Sequence, residues 1–108
     1  MLEMMNNQPL KAEKIREDTY RIEDNFVRCL LFIGTERALL VDAGFGGNGS
    51  LKQLVGSLTD KPVQLVITHA DPDHIGAAVE FDTVYMHKDE VARYIGAAGE
   101  KGPAIRTL

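Results

Sequence analysis

The densest chemistry in this chain lies in the segment Thr68-His69-Ala70-Asp71-Pro72-Asp73-His74-Ile75-Gly76-Ala77, where two histidines and two aspartates fall within six residues. Imidazole and carboxylate together suit zinc, iron or manganese. The segment follows Val63-Gln64-Leu65-Val66-Ile67, which reads as a central buried strand, and strand ends are where α/β folds place their sites. In extended backbone residues 69 and 71 point the same way, and Pro72 biases Asp71 toward that geometry. Asp73 and His74 open the next helix, so they project from another direction and would serve a second metal a few ångströms away. Each residue also has an ordinary role when taken alone: Asp73 suits an N-cap, and an isolated histidine is usually structural or exposed. Jointly, His69, Asp71, Asp73 and His74 are expected to converge on one shallow metal site at the edge of the sheet.

Other chemistry-bearing residues compete with or support this reading. Gly44-Phe45-Gly46-Gly47-Asn48-Gly49 spells G-x-G-x-x-G between a strand and a helix, and Asp71 lies where a ribose-binding acid would sit. A dinucleotide-binding α/β domain is therefore the alternative. Against it, Asp42 and Ala43 intervene between the strand and the first glycine, and the fingerprint leaves His69, Asp73 and His74 without a role. His87, the remaining histidine, stands at a strand end and reads as a surface or supporting residue. The single cysteine, Cys29, sits in the apolar run from Phe26 to Ile33, which excludes a disulfide framework and a thiolate metal site.

The elements that must position these residues follow from periodicity. Residues 19–23 alternate, with Tyr20 and Ile22 on one face, and Glu23-Asp24-Asn25 supplies a turn before Phe26-Val27-Arg28-Cys29-Leu30-Leu31-Phe32-Ile33. After a second turn at Gly34-Thr35-Glu36, the segment 37–42 reads as a buried inner strand, giving three early antiparallel strands. Leu51, Leu54, Val55 and Leu58 recur at helical spacing, and Ser50 with Gln53 makes a capping box. A short helix begins near Asp73, residues 83–87 form another strand, and residues 89–97 another helix with Val91, Tyr94 and Ile95 inward. The terminal residues from Gly96 onward read as loop. The fold expected is α/β, one mixed sheet with covering helices in a single domain over residues 1–108.

Composition narrows the function classes. The chain has 108 residues, 44% of them hydrophobic, with 12 basic against 16 acidic residues and a formal charge of −4. Without a basic cluster, nucleic-acid binding by bulk charge is excluded. The longest apolar stretch, Cys29 to Ile33, is far short of the ~20 residues that span a bilayer, and the first residues lack the basic start and apolar run of a signal peptide. A cytoplasmic, reducing location and no membrane association are expected.

Residues 39–44, Leu-Leu-Val-Asp-Ala-Gly, followed by residues 66–77, resemble the metallo-β-lactamase fold superfamily of metal-dependent hydrolases. Its hallmark is histidine, any residue, histidine or glutamate, any residue, then Asp-His, matched here at His69, Asp73 and His74. The resemblance implies the αβ/βα layered sandwich of that family, of which this chain would be half. It implies that His69 and the residue at 71 ligate a first zinc while Asp73 and His74 ligate a second, Asp73 also holding the attacking water. Asp42 matches the strand-end aspartate that braces the metal loop behind the ligands. The activity implied is attack of a metal-bound hydroxide on an ester, thioester, amide or phosphoester of a small-molecule substrate. Asp71 departs from the usual histidine or glutamate and has a shorter reach. The family's later ligands have no counterpart here, so the chain reads as an N-terminal half. It would be completed by a missing C-terminal half, paired as a homodimer through its apolar inner sheet face, or act as a non-catalytic half-domain in assembly.

Overall fold

Alternating apolar residues build a meander first. The computed structural model describes residues 10–24, 27–46, 49–98 and 103–108, the side chains of Pro72 and Asp73 excepted. The N-terminal methionines and Gly47-Asn48 lie outside the described residues. Strands β1 (Lys11–Arg16), β2 (Thr19–Asp24), β3 (Val27–Ile33) and β4 (Ala38–Val41) pair in succession, all antiparallel. Strands β5 (Val63–Val66), β6 (Thr83–Met86) and β7 (Ala104–Thr107) extend the same sheet in parallel, so its seven strands lie in chain order. Helix α1 (Leu51–Leu58) links β4 to β5, and α2 (Pro72–Ile75) with a 3-10 turn at Ala78–Glu80 links β5 to β6. A second 3-10 turn, Lys88–Glu90, runs into α3 (Val91–Ala98) before β7. This is the mixed α/β sheet with covering helices that the sequence predicts.

Three details differ from the sequence reading. The meander has four strands, because the charged segment Lys11–Arg16 pairs along β2 as an edge. Residues 104–107, expected as loop, form the parallel edge strand β7, where Ile105 alone is half-buried and its neighbours are exposed. Ile95, expected inward, is 39% exposed, while Tyr94 is buried. The chain enters α3 through a 3-10 turn, which advances about 120° per residue rather than 100° and so rotates the helix face.

Ser50 caps α1 as expected, its Oγ accepting from the Gln53 amide at 3.1 Å. Glu80, from the turn after α2, adds an acceptor that the sequence does not suggest: its Oε1 takes the Lys52 amide at 2.8 Å and the Ser50 hydroxyl at 3.2 Å. The start of α1 is thereby tied to the segment that follows α2.

The core lies on one side of the sheet. Ile22, Cys29, Leu31, Ala38, Leu40, Leu65, Val84 and Met86 are fully buried, and cross-strand register places them on one face. They meet Leu51 and Val55 of α1, Ile75, Ala77 and Ala78, and Tyr94 of α3 in one cluster. On the opposite face Arg21, Leu30, Val41, Val66 and Tyr85 run side by side, with Phe32 beside Leu39. Phe32 is 40% and Leu39 37% exposed. The body measures 43 × 34 × 18 Å, the thickness of one sheet and one helix layer. Among the described residues no helix is long and apolar enough to cross a membrane.

Candidate metal centre

The parallel strands β4 and β5 bring Asp42 and Thr68-His69 together at their carboxyl ends. The Asp42 amide continues the ladder, donating to the Val66 carbonyl at 2.8 Å. The chain then turns sharply, with Asp42 at φ 70°, a left-handed conformation that aspartate tolerates better than most residues. This turn buries Asp42, whose side chain is 9% exposed. Asp42 Oδ1 accepts the Thr68 amide at 2.8 Å, and Oδ2 accepts the Thr68 hydroxyl at 2.8 Å. Oδ2 also lies 3.1 Å from His74 Nδ1.

These contacts orient both imidazoles. His74 Nδ1–H donates to the carboxylate, so Nε2 carries the lone pair that a metal would use. The Thr68 hydroxyl spends its proton on Asp42, and His69 Nδ1, 3.2 Å from that hydroxyl oxygen, is the donor to it. His69 is thereby placed in the same tautomer. The two rings are neighbours, their centroids 5.9 Å apart and their planes inclined at 46°.

Asp71 does not join them. Its carboxylate lies 3.2 Å from Arg93 Nη1 of α3, and Arg93 also reaches Glu90 at 4.0 Å. Glu90 in turn accepts the Ala70 amide at 2.9 Å, so residues 70 and 71 are drawn toward α3. The Asp73 side chain lies outside the described residues. Among the described residues, no group of three or more His, Cys, Asp or Glu side chains is placed to hold a metal ion. Among the described residues a pair of oriented histidines is present and a complete set of ligands is not. His87 is exposed at the surface, its Nδ1 accepting the Asp89 amide at 3.1 Å.

The glycine loop after Asp42 locks onto α2. The Ala43 amide donates to the His74 carbonyl at 2.8 Å, Gly76 to Gly44 at 2.7 Å, and Ala77 to Ala43 at 3.0 Å. The backbones touch so closely that a Cβ on Gly76 would sit 1.8 Å from the Phe45 carbonyl oxygen. From the other side, Asp24 Oδ2 accepts the Phe45 and Gly46 amides at 2.8 and 3.2 Å. Two amides that a bound pyrophosphate would need therefore point at a buried carboxylate, which disfavours the dinucleotide reading. Read as a turn residue, Asp24 escapes sequence analysis. One signal for it exists: two positions after Ile22, it is in phase with the core face of β2.

A family model described as the metallo-beta-lactamase superfamily matches residues 22–107. Among solved structures, DIM-1 metallo-beta-lactamase is similar at 16% identity and a TM-score of 0.70, over 94% of this chain and 53% of that one. FIM-1 from Pseudomonas aeruginosa, in a mono-zinc form, is similar at 18% identity and a TM-score of 0.68, over 95% and 52%. A metallo-beta-lactamase from Erythrobacter litoralis is similar at 18% identity and a TM-score of 0.69, over 92% and 50%. At these identities the likeness is one of fold, and the chain spans about half the length of the solved structures it matches. A comparison with curated proteins finds no match.

Proposed function

The chain belongs to the metallo-beta-lactamase superfamily, and from that premise we propose that it supplies the histidine-bearing half of a zinc-dependent hydrolytic centre. The supporting observation is the hydrogen-bonded brace in which Asp42 holds Thr68 and His74 while Thr68 holds His69. A carboxylate behind a histidine that faces a shared site is the usual second layer of a zinc centre, fixing ring orientation and raising basicity. Bound zinc would lower the pKa of water to about 7 and polarise the oxygen of a small ester, thioester, amide or phosphoester.

The protein's own residues have separable tasks in this reading. His69 and His74 would hold the metal through Nε2, Asp42 and Thr68 fix their tautomers, and Asp73, at the start of α2 beside His74, would hold the attacking water. Asp71 joins only by leaving Arg93. With two imidazoles as the ligands named here, and a catalytic ion wanting about three protein ligands, the chain would bind zinc weakly. Iron or manganese would suit the same donors.

Calorimetric titration with zinc tests the proposal. We expect weak, chelator-reversible binding that is lost in His69→Ala and in His74→Ala. Binding left unchanged by both substitutions, or no binding at all, overturns it. Stoichiometric zinc that resists chelators would show that this chain holds ligands beyond those named.

A further inference from the structure

Asp24 is 1% exposed, more deeply buried than Asp42, and the metal reading gives it no task. An ionised carboxylate is placed in a protein interior only where hydrogen bonds replace its water. Here the replacements are the convergent amides of Phe45 and Gly46. Two successive amides converging on one oxygen form the kind of concave nest that elsewhere binds free anions; in this chain the anion is built in. The fit is tight, since a Cβ on Gly44 would come within 2.5 Å of Asp24 Oδ2.

The seated loop is in turn the surface on which α2 rests. A Cβ on Gly46 would come within 2.8 Å of the Gly76 backbone, and Ala43 and Gly44 exchange three backbone hydrogen bonds with His74, Gly76 and Ala77. His74 is therefore held twice, by its ring through Asp42 and by its backbone through the loop. We propose that Asp24 is a positioning residue for His74, acting through residues 43–46. Its purpose rests on the metal-centre reading, while its mechanics do not. An apolar residue at position 24 would fill the strand end equally well but leave both amides without an acceptor, letting the loop and α2 drift from Asp42.

The test uses the full chain, nitrogen-15 labelled, with the His74 Nδ1–H resonance and zinc affinity as readouts. Asp24→Ala is expected to lose or broaden that resonance and to weaken zinc binding about tenfold. Asp24→Asn keeps an oxygen that accepts both amides, so it should retain the resonance and stay within about twofold in affinity. Val84→Ala, in the core of β6 away from the loop, controls for loss of stability and should move neither readout. If Asp24→Ala does not fold, Gly44→Ala displaces the same bond from the loop side and takes its place. A folded Asp24→Ala or Gly44→Ala protein with an unchanged His74 resonance overturns the proposal, as does Val84→Ala shifting that resonance equally. If the unsubstituted chain binds no zinc, the metal reading fails, and the resonance alone still decides the role of Asp24.

Discussion

At Asp42 the backbone and the side chain answer to one constraint: the turn that places the carboxylate under Thr68 and His74 requires φ 70°. Asp42→Ala loses the acceptor and puts alanine in a left-handed conformation, so it should destabilise the chain by about 2–4 kcal/mol in urea unfolding. On the proposed metal-centre reading it should also weaken zinc binding about 10- to 100-fold in a calorimetric titration. Asp42→Asn tolerates the same turn and still accepts from Thr68, so most of the stability should survive. Cys29 gives a second prediction. Burial, reinforced by the charges of Asp42 and then Asp24, pushes its thiol up from 9.0 to about 12. The native state thus favours the protonated thiol, a contribution fully present below pH 9 and lost as pH rises toward 12. Cys29→Ala should flatten this alkaline loss of stability relative to the unsubstituted chain. At this scale the nearness of His69 and His74 was legible from their spacing on a strand end and a helix start, and Asp42 from the resemblance of its segment to the family. Asp24 and the Asp71 partner Arg93 were not, because each acts on a residue some twenty positions away whose approach only the tertiary fold creates.

Between elements, backbone contact decides more than propensity. Gly76 has ordinary helical angles, so alanine there would be favoured by helix propensity alone. The Phe45 carbonyl leaves no room, and Gly76→Ala should cost about 3 kcal/mol or more, read as a lowered urea midpoint. Glu80→Ala removes an acceptor from the start of α1 and should cost about 1 kcal/mol, checked in the same way. Helix α1 was legible because Leu51, Leu54, Val55 and Leu58 repeat at helical spacing over a recognisable cap. Strand β7 was not: with Ile105 as its one half-buried residue, it has no alternation to read, and its pairing with β6 is what makes it a strand. The Ile95 misassignment has the same character, since the preceding 3-10 turn sets the phase of α3.

Among the described residues the molecule is one-sided, with helices on one face of the sheet and the other face bearing Phe32 and Leu39 side by side. Exposed apolar side chains set side by side bind hydrophobic dyes. Dye fluorescence should be strong at micromolar protein and fall in the double variant Phe32→Lys, Leu39→Lys; no change would mean that this face is covered. The unbroken apolar runs that predict strands apolar on both faces are legible in the sequence, and which face the helices take is decided by their packing. The strict correspondence of strand order and chain order has a further consequence, for how the chain acquires its shape. Each strand pairs with the one made just before it, and the longest step closed is from Ala38 to Val63. Loop-closure entropy is therefore spent in small instalments, and no strand waits for a distant partner. Such a sheet can grow in one direction as the polypeptide leaves the ribosome, with the meander of β1 to β4 able to pair before the parallel strands that follow it emerge.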